Sequence, residues 1–386
     1  MDNEFNYDSI RPYRDDEAKE AINRMTSEKE VYAVAQAIFP NRKPEEVIQW
    51  IRSFQTIHDF QSKLIAPFIL GSLDATGSTY HLRGTENIMK DKQHLFISNH
   101  RDIIMDAGIL NSLMDKHGYV TTENAIGDNL CARPWITDAL KLNKSFLVRR
   151  SGTKRELFDA FRTLSHYIRE SITSNRTSIW IAQREGRTKD SDDRTQESLL
   201  KMFSISAQGS IKQSFIDLNI TPISFTYKYD SCDYLKAKEF QQKRDDADFK
   251  KRPEDDIENM RVGMVGFKGD VNIQITPSIS PDIDKLVDEA DDRQTVIDKV
   301  TQIIDRKIHQ NYRIYPHNYV AMDNLYHTTE NLGKHYTPEE KKEFEAYVDK
   351  QIGKINLPNK DIPYLQERFW TMYGNPLINQ IAALKG

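Results

Sequence analysis

From residue 1 to about 80, apolar residues recur every three or four positions between Asp, Glu and Lys, as in VYAVAQAIF and VIQWIRSF, which predicts helices and no strand. From about residue 94 the texture changes to short apolar runs, HLFIS, YVTT, SFLV, TSIWIA, ITPISFTY and VNIQIT, with helical spacing between them. That alternation predicts an α/β fold, a mixed central sheet with helices on both faces. One intervening helix places Leu157, Phe161, Leu164, Ile168 and Ile172 on one stripe, with Lys154, Arg155, Arg162 and Arg169 turned away from it. A charged stretch, KAKEFQQKRDDADFKKRPEDD, breaks the strand pattern and reads as a solvated helical insertion. After Pro281 a helical stripe of Val296, Val300, Ile303, Ile304 and Ile308 leads into a tyrosine-rich segment and a polar tail. The expected organisation is a helical region over 1–80, an α/β core over 81–282 and a helical region over 283–386, with no internal repeat.

Composition narrows the function more than the fold. The chain has 386 residues, and 54 Lys and Arg against 58 Asp and Glu leave a net charge of −4, which offers no basic field for duplex nucleic acid. Two cysteines, Cys131 and Cys232, make neither a disulfide scaffold nor a cysteine zinc module. The acidic, polar start MDNEFNYDSIRPYRDDEAKE predicts a protein kept inside the cell, and the longest apolar stretch, LIAPFILG, is too short for a membrane span. Any membrane contact would then be peripheral, and the IAPFILG segment with the stripe Phe54, Ile57, Phe60 and Leu64 is either such a surface or an ordinary core helix.

Several familiar sites are missing: GxxxxGK[ST], HExxH and GxSxG do not occur. Gly263, Gly266 and Gly269 are spaced for turns rather than for a dinucleotide, and most of the ten histidines read as solvated. His100 differs, because it closes LFISN and opens RDIIMDAGILNSLM, at the junction of a buried strand and a helix. In open α/β sheets that crevice binds ligands. Asp102 suits the helix N-cap and Asp106 lies a turn further on, so that one carboxylate can orient the imidazole as a general base while the other is structural. The same residues also describe a polar capped turn.

Three further clusters close apolar runs: FLVRRS with Arg149 and Arg150, WIAQREGRTKD with Glu185, Gly186 and Arg187, and ITPISF with Pro222. Paired guanidinium groups beside a permissive glycine suit a phosphate or carboxylate. In order, NHRDIIMD (99–106), SFLVRRS (145–151), REGRTKD (184–190) and ITPISF (220–225) resemble the blocks of the glycerophospholipid acyltransferase family, and the arginine pair is closer to its glycerol-3-phosphate branch. The resemblance spans roughly 81–280. It departs in two respects: four residues between His and Asp would place the carboxylate at Met105, whereas the carboxylates here are Asp102 and Asp106, and the third block has Arg187 where many members have threonine, with Thr188 following. One added residue turns a helix by ~100°, so Asp106 meets His100 only if the turn before the helix absorbs it.

The resemblance implies phospholipid-type acyl transfer with no metal and no cofactor. An acyl thioester, acyl-CoA or acyl-carrier protein, would be the donor, and glycerol-3-phosphate, lysophosphatidate or a related polar lipid the acceptor. His100 would be the general base, supported by Asp106 or Asp102. Arg101, Arg149, Arg150, Glu185, Gly186, Arg187 and Pro222 would hold the acceptor, on a protein that is cytoplasmic or peripheral on the inner face of the membrane. A non-catalytic module for anionic lipid or phosphate is the alternative, and a hydrolase using water ranks below both.

Overall fold

The computed structural model describes residues 5–286, 292–327 and 332–385. Seven strands form one sheet, β1 (Thr79–Arg83), β2 (Leu95–Ser98), β3 (Glu123–Gly127), β4 (Ser145–Val148), β5 (Ile179–Ala182), β6 (Ile220–Tyr227) and β7 (Asp270–Ile275), in the order β1-β7-β6-β2-β5-β3-β4. β6, β2, β5, β3 and β4 run parallel, whereas β7 is antiparallel to β6 and carries β1 parallel to itself. The sheet is therefore mixed, and the carboxyl ends of its five parallel strands share one edge.

The central strands read as continuous apolar runs because both faces are covered. β2 and β6 are buried at every position. Alternate side chains go to opposite layers: Leu95, Ile97, Ile179, Ile181 and Ile220 enter one, and Phe96, Trp180, Ile223, Phe225 and Tyr227 the other. The first layer is closed by α8 (Lys154–Thr173) and α14 (Arg293–Gln310), the second by α5 (Ala66–Ala75) and α6 (Met105–Lys116). Before α5, helices α1 (Asp15–Met25), α2 (Lys29–Ile38), α3 (Pro44–Arg52) and α4 (Ile57–Asp59) build a separate apolar cluster that Leu142, the last residue of α7 (Pro134–Leu142), joins. α9 (Glu197–Phe203) and α10 (Ile211–Asp217) connect β5 to β6, and α11 (Asp233–Asp245) and α12 (Pro253–Val265) connect β6 to β7. α13 (Ser280–Asp284), α15 (Pro316–Tyr326), α16 (Pro338–Gly353) and α17 (Ile362–Lys385) complete the described helices.

Several expectations change. YVTT is not a strand; β3 starts at Glu123, and β1, with its polar alternating TYHLR, was not anticipated. Phe54, Ile57 and Phe60 are core residues of the N-terminal cluster, and Ile69 and Leu73 of α5 pack into the layer under α6, whereas Leu64, Ile65, Phe68 and Leu70 are only partly buried against these cores. Arg169 is buried against Ser206 and Ser214 instead of facing away, Lys154 falls on the stripe's own side of the helix at 100° per residue rather than away from it, and Phe161 is exposed. His94, His309 and His317 are buried, each with its imidazole pushed below the usual histidine range by burial. The polar tail is the helix α17, seated through Leu365, Phe369, Met372, Tyr373 and Leu377.

The charged stretch departs furthest from expectation. α11 buries Asp233, Lys236, Glu239 and Gln241 rather than solvating them. Each has a partner: Asp233 accepts from Tyr347 and Tyr373, Lys236 pairs with Asp230, Glu239 with Lys189, and Gln241 bonds the Asn359 carbonyl. Burying such groups is tolerable only because each is paired.

Candidate active site

β2 ends at Ser98, and the next four residues build a polar turn over the sheet edge. The Asn99 amide staples that turn to β6, donating to the Phe225 carbonyl at 2.9 Å and accepting from the Phe225 N–H at 2.8 Å. Asp102 Oδ1 accepts the N–H groups of Ile104 and Met105, each at 3.0 Å, and α6 begins only at Met105. This late start absorbs the extra residue. Asp106 consequently lies in the first turn of α6 with Oδ2 2.8 Å from His100 Nδ1.

Every side of the Asp106 carboxylate is occupied. Oδ2 also accepts from the backbone N–H of Arg101 at 2.7 Å and of Asp102 at 3.1 Å, and Oδ1 accepts from the Tyr227 hydroxyl at 2.7 Å. Asp106 is fully buried, which opposes ionisation, yet the hydrogen bonds from His100, Tyr227 and Arg101 outweigh burial and hold its carboxyl below the usual range. A carboxylate kept charged there makes His100 Nδ1 the donor, which leaves Nε2 as the basic nitrogen. The imidazole is only partly buried and meets the Trp180 ring edge-on, 5.9 Å between centroids. Asp102 makes no such contact and serves as the cap.

The remaining anticipated residues separate. Arg101 turns into the protein and pairs with buried Asp193 at 2.6 Å, where Thr188 and Tyr312 also donate, so its guanidinium holds the loop together and is not open to a ligand. Pro222 is buried inside β6 opposite Ile97, three residues before His100, and lies down in the sheet instead of at its edge. Glu185, Gly186 and Arg187 follow β5, the neighbour of β2, with Gly186 at φ +69°, a left-handed turn that favours glycine. Arg187 bonds Asn259 of α12 through Nη2 at 3.1 Å, and its Nη1 is buried with no hydrogen-bond partner among the described residues. Arg149 and Arg150 follow β4, three strands or about 14 Å from β2 along the edge. Arg150 reaches back to Glu185 at 3.1 Å, whereas Arg149 turns onto Glu156 of α8 at 3.3 Å.

The insertion contributes residues that were missed. Lys236 of α11 donates to the Arg101 carbonyl at 3.3 Å, and Lys189 of the third block pairs with Glu239. In α12, Gly263 is a helix residue rather than a turn, set so close to Asp102 that a Cβ there would lie 2.1 Å from Oδ2. Tyr227 closes the run ITPISFTY, and nothing in the spacing of that run pointed to a partner 121 residues earlier. Among the described residues no cluster of three or more His, Cys, Asp or Glu is arranged to hold a metal ion. A cleft of about 1500 Å³ lies at the opposite edge of the sheet, lined by Arg11, Gln93, Arg169 and Asn219, away from His100.

Residues 79–226 match the family model described as acyltransferase. Among solved structures, the 1-acyl-sn-glycerophosphate (LPA) acyltransferase PlsC from Thermotoga maritima is similar at 13% sequence identity over 75% of this chain and 94% of that chain, with a TM-score of 0.38. No curated protein matches the chain. All four blocks of the resemblance fall within the matched residues, which stop one residue short of Tyr227, the end of β6.

Proposed function

We propose, for a chain whose residues 79–226 match the acyltransferase family model, an O-acyltransferase that moves a fatty acyl group from an acyl thioester to a hydroxyl of glycerol-3-phosphate, lysophosphatidate or a related polar lipid. The observation that carries this reading is the His100–Asp106 contact of 2.8 Å at the carboxyl edge of β2, with Asp106 held charged by three further donors. His100 Nε2 takes the proton of the acceptor hydroxyl as its oxygen attacks the thioester carbonyl carbon. The tetrahedral intermediate collapses, the C–S bond breaks, and the imidazolium returns the proton to the departing thiolate. Asp106 stabilises the imidazolium between those steps and fixes the tautomer.

Arg187 and Arg150 supply the positive charge for the acceptor's phosphate, and Glu185, already paired with Arg150, is the acceptor for a substrate hydroxyl. The non-catalytic reading supposes a dyad broken by the extra residue, and the contact at Asp106 supports the catalytic reading instead. Among the described residues no helix is long and apolar enough to cross a membrane, which suits peripheral access to a lipid acceptor. The test is thiol release from a long-chain acyl-CoA, and separately from acyl-carrier protein, with and without each acceptor, for wild type and His100→Ala. Acceptor-dependent release that disappears in the variant is expected. Release that persists in His100→Ala would remove the base from the mechanism.

A further inference from the structure

The sheet edge that carries His100 is bracketed by exposed apolar side chains. On the β4 side, α8 starts six residues after Val148 and overhangs the sheet: Leu164, Ile168 and Ile172 enter the core, but the first turns continue the same face with Phe158 and Phe161, 56% and 37% exposed. At 100° per residue, Lys154, Leu157, Phe158 and Phe161 share that face, Arg155 and Arg162 stand on its shoulder, and Glu156 and Asp159 lie opposite. Cations thus flank the apolar face while the acids are turned from it. On the other side, β7 is antiparallel to β6 and begins at this same edge, so Val265, which ends α12, and Phe267 stand there too, 58% and 47% exposed.

Strand spacing places His100 between the two groups. β2 is two strands, about 10 Å, from β7 and three strands, about 14 Å, from β4. Two pairs of large apolar side chains, Phe158 with Phe161 and Val265 with Phe267, thus stand on one edge, on either side of the reacting base. We propose that this edge docks on an anionic lipid bilayer, with Phe158 and Phe161 on one side and Val265 and Phe267 on the other entering the interface, and Lys154, Arg155 and Arg162 meeting the headgroups. The inference rests on the lipid acyl-transfer reading and adds the surface from which the enzyme meets its lipid. Charge complementarity selects a bilayer over a second copy of the chain, because the α8 face of one copy would confront the same cations on another. It also places the membrane contact at the catalytic edge rather than at the 54–71 stretch, whose apolar residues Phe54, Ile57, Phe60 and Ile69 are in the core.

Co-sedimentation of the full chain with vesicles tests this, using phosphatidylcholine alone and phosphatidylcholine with phosphatidylglycerol in equal parts. Binding is expected to the anionic vesicles and to weaken at high salt. The combined variant Phe158→Ser, Phe161→Ser, Val265→Ser, Phe267→Ser should lose at least about tenfold in partitioning, since each apolar side chain contributes to insertion. A Phe158→Trp variant should show a blue-shifted emission that is quenched by brominated lipid. Unchanged binding in the quadruple variant, an emission spectrum of the Phe158→Trp variant that vesicles do not shift, or a dimer in buffer that the quadruple variant dissolves without any vesicle binding would each overturn the proposal. Transfer from a short, water-soluble acyl thioester separates the two readings. Turnover without vesicle binding leaves the enzyme and removes the surface, and vesicle binding without turnover does the reverse.

Discussion

Gly263→Ala isolates the link between the charged insertion and the catalytic turn. Gly263 lies in α12, and a methyl there would stand 2.1 Å from Asp102 Oδ2 and 2.8 Å from its Cγ, well inside van der Waals contact. The Asp102 carboxylate has little room to yield, because it is buried and Oδ1 is tied to the N–H groups of Ile104 and Met105. Two terms oppose each other in stability. Alanine is favoured over glycine in a helix interior by about 1 kcal/mol, and disturbing the Asp102 cap costs about 0.5–2 kcal/mol. Overpacking against the Asp102 carboxylate adds about 1–3 kcal/mol to that cost, so the variant is less stable by about 0.5–4 kcal/mol, a fall in Tm of a few degrees for a chain of this size. The rate should respond far more. The Asp102 N–H donates to Asp106 Oδ2 at 3.1 Å, so moving Asp102 moves the carboxylate that orients His100. A displacement of ~1 Å at a catalytic group can cost ~100-fold, so kcat for thiol release at saturating donor and acceptor should fall by that order at temperatures where the variant is still folded. A kcat within about twofold of wild type would refute the coupling of α12 to the dyad.

Tyr227→Phe leaves Asp106 Oδ1 buried without its donor, which should destabilise the protein by about 1–3 kcal/mol in denaturant melts and lower kcat by about tenfold with little change in KM. Arg150→Ala should raise the KM for a phosphorylated acceptor about tenfold, whereas Arg149→Ala, whose guanidinium turns to Glu156, should change it by less than about twofold; equal effects would contradict the assignment. Burial pushes the Asp233 carboxyl up to about 7 against the donors Tyr347 and Tyr373. Its folded state therefore holds a proton that the unfolded chain has released above its ordinary value of 3.8, so this group's contribution to stability falls as pH rises from about 4 to 7. In Asp233→Asn that slope should vanish from a Tm series over the same window, and a slope identical to wild type would exclude the group.

The sequence by itself determined the class of fold and the reach of its chemistry. Largely buried strands such as LFIS, SFLV and IWIA declare themselves as apolar runs, and their polar endings Asn99–His100, Arg149–Arg150 and Glu185–Arg187 mark one sheet edge. β1 escaped notice because TYHLR, at the sheet margin, buries little. Tertiary structure alone decided which residues at that edge meet. Asp106 rather than Asp102 contacts His100 because α6 starts at Met105, a matter of backbone hydrogen bonding at Asp102 that the spacing of residues leaves open. Arg101 and Pro222 stand in the blocks yet leave the site, one drawn to Asp193 and the other enclosed in the sheet. The charged insertion was least legible. Its buried face is made of Asp, Lys, Glu and Gln, whose partners come from residues as distant as Tyr373, and hydrophobic periodicity carries no record of a polar group that is satisfied across the fold.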